Sequence, residues 1–558
     1  MKRRDFIKHL PIGVAAASIP FSIGGFDATA FARNPALDAL LNPQSGNEKI
    51  LVLINLSGGN DGLNAVIPFQ DPAYDIQRKN IGFSTSAEKT LLGATSLRGD
   101  LALNPMFQFT DTQANRSSKM HDMWKDGKLA IIQNVGYDDS NRSHFRSTDI
   151  WNTATDSNVI MSTGWLGRYL EKQEPNYPFD VSADDDPLAI SIDFNSSLAF
   201  QGSKINMGIA VADPSKYSSA VLYTDDPVPA SNYGNELGYV RNILVQSDLY
   251  GKRFNNTYFP GGQTPGNKVT YPAGNLLAQQ LRKVAWCIAS GMKTKVYFVT
   301  QGGYDTHIQQ NSKDNQTGQG RLLFELAEAI SLFQEDIEKF GVADKVLGMT
   351  YSEFGRRVNE NGSAGTDHGT CAPQFLFGTG INGNVYGNNP SLTDLDMYQD
   401  LKHQFDFRQL YASVLTEWFG PSETFTKSVL NTPELTKKSE FGFTFPVNGT
   451  GEMKSLFKQS AGVSGGSKAT DRIFILSQNY PNPVVSETII PFALSESAMV
   501  KLEVFDSRGE LVGTPVNANL GRGEHPISFD TRRLASGTYY YRIDVNGAIE
   551  TKAMKVVR

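Results

Sequence analysis

Five polar stations, each following an apolar run, hold the residue types in this chain that could do chemistry. Asn60 and Asp61 come after LVLINL, and Ser143 and His144 come after LAIIQNV and a polar loop. Asp305 and His307 lie in GGYDTH after VYFVTQ. Glu353, Arg356 and Arg357 follow VLGMTY, and His368 stands in GTDHGT a little further on. Carboxylate oxygens and imidazole nitrogens are the donors that divalent zinc or manganese takes. The chain has 7 histidines, and His307 and His368 stand in the most motif-like stations. Asp61, Asp305, His307, Glu353 and His368 are therefore the candidate ligands of divalent ions, with zinc, manganese and calcium as the ions considered. A pair of such ions polarises an ester oxygen and stabilises attacking and leaving oxygens together. Ser143 offers a hydroxyl nucleophile. Arg356 or Arg357 offers paired N–H donors to an anion. Asn60, His144 and Arg357 complete the set as candidate substrate contacts. The glycines around Asn60 and Asp61 let the backbone come close to a bound ion or anion.

Each station also has a plain structural explanation. Gly-Gly-Asn-Asp-Gly suits a tight turn, because Asn and Asp tolerate left-handed backbone and bond their own chain. Asp305 with His307 suits a loop hydrogen bond, and Asn141 or Ser143 a helix cap. Glu353 with Arg356 suits an ion pair on a helix, and Asp367-His368-Gly369 a capping turn. What sets the stations apart is their shared position after apolar runs.

Those runs, together with FLFG, alternate with amphipathic stretches over residues 45 to 445. The clearest stretch is RLLFELAEAISLFQEDIEKFG, where Leu322, Leu326, Ile330, Phe333, Ile337 and Phe340 recur at helical spacing. Strands buried on both faces with helices between them predict a three-layer α/β/α sandwich. In open sheets of this kind ligands bind beyond the carboxyl ends of the strands, where the stations lie. Residues 200 to 270, rich in Gly, Pro, Asn and Tyr, read as an insertion. No Gly-x-Ser-x-Gly elbow follows a buried strand, which disfavours an α/β-hydrolase. The turn at 58 to 62 lacks dinucleotide spacing.

The 558 residues exceed what one core usually needs, and a formal charge of −6 does not point to nucleic acid or an anionic membrane. Cys287 and Cys371 cannot build a disulfide framework; one bridge between them stays open, although Cys287 reads better as a small core residue. The first 32 residues have a basic start, a moderately apolar middle and small residues at the end. That is an export-signal layout, too short and interrupted to span a bilayer. Residues 460–472 read as a flexible linker. Beyond it, TIIPFAL, MVKLEVFD, HPISFD and TYYYRIDV alternate with period two and predict a small all-β, immunoglobulin-like sandwich over 473–558.

The wording of several segments adds resemblances. Arg3-Arg4 followed by Asp5-Phe6-Ile7-Lys8 resembles a twin-arginine signal, which implies export in the folded state. LSQNYPNPVVSETIIPFAL, VKLEVFDSRGELV, LASGTYYYRIDVNG and KAMKVVR resemble the C-terminal sorting domain of the type IX secretion system. LINLSGGNDGLNAVIP, NRSHFRSTDIWNTA, GGYDTH, TYSEFGRR and GTDHGT together resemble the exported domain-of-unknown-function 1501 family, allied to the alkaline phosphatase and sulfatase superfamily. By that resemblance residues 33–459 form an alkaline phosphatase-like domain. Asp61 is then the acidic ligand after the first strand, Ser143 lies near the covalent nucleophile, Asp305 and His307 are one metal pair and His368 is the late histidine. Where that superfamily places an Asp-His pair after the next strand, this chain has Glu353, a substitute ligand. Cys371-Ala-Pro373-Gln-Phe375 comes late and lacks the arginine of the sulfatase motif, so it implies no formylglycine.

The expectation is a secreted or surface-attached metal-dependent hydrolase of phosphate or sulfate esters. It would pass the twin-arginine translocase and the type IX system through the periplasm, and act on an ester-bearing small molecule or glycan. The alternative is a non-catalytic exported protein that binds surface glycan or an envelope partner. For it the insertion offers Tyr217, Tyr223, Tyr233, Tyr239, Tyr250 and Tyr258, which equally suit packing.

Overall fold

The computed structural model describes residues 48–174, 185–212 except 204, 266–431 and 442–458. It also describes 474–558 with short gaps, two strands at Ser18–Ile23 and Phe26–Phe31, and isolated residues such as Tyr177 and Tyr250. The proposed signal sequence beyond those two strands, the linker and the insertion tyrosines other than Tyr250 lie outside the described residues. The chain divides into two compact units, Asn47–Gln459 and a second formed by Met1–Gly46 with Ser460–Arg558.

The larger unit is a mixed α/β structure around one sheet. In chain order its main elements begin with β1 (Ile50–Leu56), β2 (Leu129–Gly136), α1 (His144–Thr153), α2 (Trp165–Gln173), β3 (Ala189–Ser191) and β4 (Gly208–Ala210). They continue with α3 (Leu276–Ala289), β5 (Val296–Gln301), α4 (Gly318–Lys339), β6 (Val346–Tyr351), β7 (Ala372–Phe377), β8 (Val385–Tyr386) and β9 (Phe405–Asp406). The sheet runs β4-β3-β5-β1-β6-β7-β2-β8, and β9 also pairs with β2. β5 and β6 flank β1 in parallel, while β7 is antiparallel to both β6 and β2. As a result β1, β2, β5 and β6 end at the same edge, and β7 begins there. Every polar station lies on a connection at that edge.

The apolar runs become strands because both faces of the sheet are covered. Val52, Ile54 and Leu56 join one core cluster with side chains of α3 and α4. Leu51 and Leu53 join another with side chains of α1 and α2. The helix expected over 321–341 is present as α4, begun three residues earlier. Cys287 and Cys371 are buried and unpaired. Cys287 packs in the core with α3 and Cys371 in a separate core cluster.

The smaller unit contains a C-terminal all-β region. A three-stranded antiparallel sheet (Phe474–Leu476, Glu487–Leu494, Gly523–Asp530) and a four-stranded one share a single core. The second is built from Ala498–Phe505, Leu511–Leu520, Gly537–Val545 and Ala548–Val556. Val500, Leu502 and Val504 face that core as the alternation predicts. No helix among the described residues is long and apolar enough to cross a membrane.

At Gly58 and Gly59, which have φ of +120° and +80°, the turn after β1 packs against the connections after β5 and β6. A Cβ on Gly58 would lie 2.4 Å from the Asp305 nitrogen. Gly58→Ala should therefore lower unfolding stability by about 1–3 kcal/mol from backbone strain alone, with the steric overlap added. Urea unfolding of the full chain measures this.

Candidate metal centre

Position at the sheet edge brings the stations together; side-chain contacts decide what each can do. His307 and His368 approach with their Nε2 atoms 2.9 Å apart. The Asp305 Oδ1 atom is 3.2 Å from His307 Nε2 and 3.3 Å from His368 Nε2. His144 reaches the same carboxylate from α1, its Nε2 3.5 Å from Asp305 Oδ2. One ligand atom from each of His144, Asp305 and His368 can be chosen so that all lie within 4.8 Å of one another.

The opposite nitrogen of each ring is already engaged by oxygen. Nδ1 of His144 lies 2.9 Å from Glu353 Oε1, that of His307 3.1 Å from Asp367 Oδ1, and that of His368 2.8 Å from the Arg142 carbonyl. Carboxylates and carbonyls accept, so the network assigns the proton of each neutral ring to Nδ1 and leaves a lone pair on each Nε2. Two lone pairs 2.9 Å apart repel unless a proton or a cation lies between them. This pattern, with an oxygen behind each ring, is the one that orients metal-binding histidines.

Burial pulls His368 below the usual histidine range, although the Arg142 carbonyl and Asp305 favour its charged form. Burial pushes the Asp305 carboxyl up, but the hydrogen bond from Arg356 and the positive charge beside it bring it below the ordinary carboxylate value. Its ring neutral and its carboxylate ionised, this pair is in the ligand form near neutral pH.

Four expected residues occupy different roles in the geometry. Asp61 is wholly buried and caps a short helix; its Oδ2 accepts from Arg78 at 2.5 Å and from Gln310 at 2.6 Å. That carboxylate is committed to a buried ion pair and does not join the histidines. Glu353, also buried, accepts from the Gly58 N–H at 2.8 Å and stands behind His144. It supports a ring and has its Oε1 occupied on both sides. Arg356 is buried, and every nitrogen of its guanidinium is bonded. Nε donates to the Gly59 carbonyl, Nη1 to Thr366, and Nη2 to Gly58, Tyr304 and Asp305. It holds the β1 turn against Asp305 and presents no free donors outward. Asn60 is buried as well, its backbone N–H on Ser352 and its Oδ1 accepting from Gln319.

Ser143 is exposed and precedes His144 at the N-terminus of α1, with no capping bond from its hydroxyl. Arg357 is 39% exposed and reaches Asp400 at 3.7 Å. Asp367 was absent from the expected site, although it stands beside His368 in the sequence. Hydrogen bonds from Asn361 and His307 hold it below the usual carboxylate range despite the opposing cost of burial.

Comparison with known proteins adds family relationships. Residues 287–433 match a model described as "Protein of unknown function (DUF1501)", and residues 478–557 match the "Secretion system C-terminal sorting domain". Two family models thus match separate parts of this chain. The DUF1501 match contains Asp305, His307, Glu353, Asp367 and His368. The sorting-domain match is of the type IX kind and supports secretion and attachment at the outer cell surface. No curated protein is similar enough to count as a match. Among solved structures, Ps i-CgsB in complex with k-i-k-neocarrahexaose has 9% identity and a TM-score of 0.32, covering 68% of this chain and 73% of that one. The PsFucS1 sulfatase from Pseudoalteromonas sp. has 11% identity and a TM-score of 0.28, with coverage of 90% and 88%. Alkaline phosphatase from the Antarctic bacterium TAB5 has 10% identity and a TM-score of 0.22, with coverage of 60% and 92%.

Two substitutions separate supporting residues from ligands. Glu353→Gln should weaken zinc affinity by about 10–100-fold, read by competition with a chelating dye. Asp61→Asn should cost about 3–5 kcal/mol in urea unfolding by stranding buried Arg78, while the zinc content of the folded fraction stays at the wild-type level.

Proposed function

We propose that the chain is a secreted or surface-attached metal-dependent hydrolase of phosphate or sulfate esters. The convergence of three histidine Nε2 atoms on the Asp305 carboxylate carries this reading. His144, Asp305, His307 and His368 would hold the ion. Their imidazole-rich donor set suits zinc or manganese better than calcium, which prefers oxygen ligands. When bound, such an ion supplies Lewis-acid polarisation of an ester oxygen.

The chain's own groups supply the rest of the proposed chemistry. Ser143 would attack, its hydroxyl uncommitted at a helix N-terminus where unpaired backbone N–H groups favour developing negative charge. Glu353, Asp367 and the Arg142 carbonyl keep the Nε2 lone pairs of the three rings directed inward. Arg356 fixes Asp305, and the half-exposed Arg357 is left to receive the anionic part of an ester.

The finer fold assignments belong to the same proposal. An alkaline phosphatase-like three-layer sandwich over 33–459 accounts for the sheet-edge site, and an immunoglobulin-like form accounts for the two sheets of the tail. Twin-arginine export followed by periplasmic passage would let the metal be loaded before secretion.

Turnover tests this reading. The full chain, loaded with zinc or manganese, should hydrolyse aryl phosphates or aryl sulfates. Asp305→Ala should lose both metal and turnover, whereas Ser143→Ala should retain the metal and lose turnover. A metal-loaded chain inert toward both ester classes would count against the hydrolase, as would full activity in Ser143→Ala against the assigned nucleophile.

A further inference from the structure

A second convergence lies beside the histidines and involves cations. Arg142 forms an ion pair through Nη2 with Asp400 Oδ2, and Arg357 Nε lies 3.7 Å from Asp400 Oδ1. The Asp400 side chain is fully buried, whereas those of Arg142 and Arg357 are 29% and 39% exposed. Both arginines are tied by their backbones to the histidine loops. The Arg142 carbonyl bonds His368 Nδ1 at 2.8 Å, and the Arg357 N–H donates to the Asp367 carbonyl at 3.0 Å.

The guanidinium donors are incompletely used. Arg142 Nε is buried without a hydrogen-bond partner, while its guanidinium lies over the Tyr398 ring at 4.9 Å. Asp400 is the one carboxylate within ion-pair distance of Arg357 among the described residues, 3.7 Å being too long for a hydrogen bond, while Asp367 feels the Arg357 charge from further off. Nearby Asp396 accepts from the backbone N–H groups of Tyr398 and Asp400 instead of pairing with either arginine. Two guanidiniums thus share one carboxylate; Arg142 keeps an unpartnered Nε inside, and the partly exposed Arg357 has donors to spare.

We propose that Arg142 and Arg357 form a subsite for a tetrahedral oxyanion, phosphate or sulfate, next to the histidine cluster. Planar guanidinium forks match such oxygens, and partial neutralisation by Asp400 keeps the two cations together without saturating them. The subsite deepens the ester-hydrolase reading by assigning the substrate's anionic group to these side chains. Its own chemistry does not require a metal.

Calorimetric titration of inorganic phosphate and inorganic sulfate into the full chain, stripped of metal and separately loaded with zinc, tests the subsite. The stripped chain should bind at least one of the ions. Arg357→Gln should weaken that binding by about tenfold or more, the loss of a charged hydrogen bond, with zinc content unchanged. A folded Asp400→Asn chain should bind the ion more tightly, because the carboxylate competing for the guanidiniums is gone. Wild-type affinity in stripped Arg357→Gln, or no binding of either ion by the stripped wild type, would overturn the subsite. Arg357-dependent binding in a chain that takes up no zinc would uphold the subsite and sink the metal-hydrolase reading.

Discussion

The buried guanidinium of Arg356 is the constraint on which the site depends. It gathers carbonyls from the β1 turn, from Tyr304 and from Thr366, and it fixes the Asp305 carboxylate at 2.7 Å. Three connections of the sheet edge meet at this one side chain. The turn can approach so closely only because Gly58 and Gly59 carry no Cβ and adopt positive φ. A charge this deeply buried is costly unless each donor finds an acceptor, and the carbonyls supply them. The glycines and the asparagine-aspartate tip of the β1 turn are thus parts of a scaffold that positions another strand's carboxylate.

Much of the larger unit was legible from the apolar runs. Both sheet faces are covered, so LVLINL, LAIIQNV, VYFVTQ and VLGMTY had to be apolar at every position that packs, and they are strands. The histidines were legible because they are few and stand after those strands. Roles within the site were less legible, since sequence order gives no information about which atom of a side chain faces which neighbour. Asp61 looked like a ligand, yet its partner Arg78 sits in a polar stretch that gave no hint of burial. By its place in the sequence Glu353 reads as a metal ligand and Arg356 as a group facing an anion, whereas the fold turns both inward to support His144 and Asp305. Asp367 could have been noticed from its adjacency to His368; the Arg142 carbonyl could not, because a backbone acceptor has no sequence signature.

The C-terminal all-β region buries alternate residues in its own core and matches a sorting domain that supports secretion and outer-surface attachment. The larger unit contributes an open cluster whose ligand atoms are partly accessible, with Asp305 48% and His307 39% exposed. An oxygen partner behind each ring holds its orientation.

Anomalous scattering from a crystal of the full chain loaded with zinc would locate the ion and its ligands. A zinc peak is expected at about 2.0–2.2 Å from the Nε2 atoms of His144, His307 and His368 and from an Asp305 oxygen, with each Nδ1 still on its oxygen partner. No peak there, with the two Nε2 atoms still in contact through a shared proton, would contradict it.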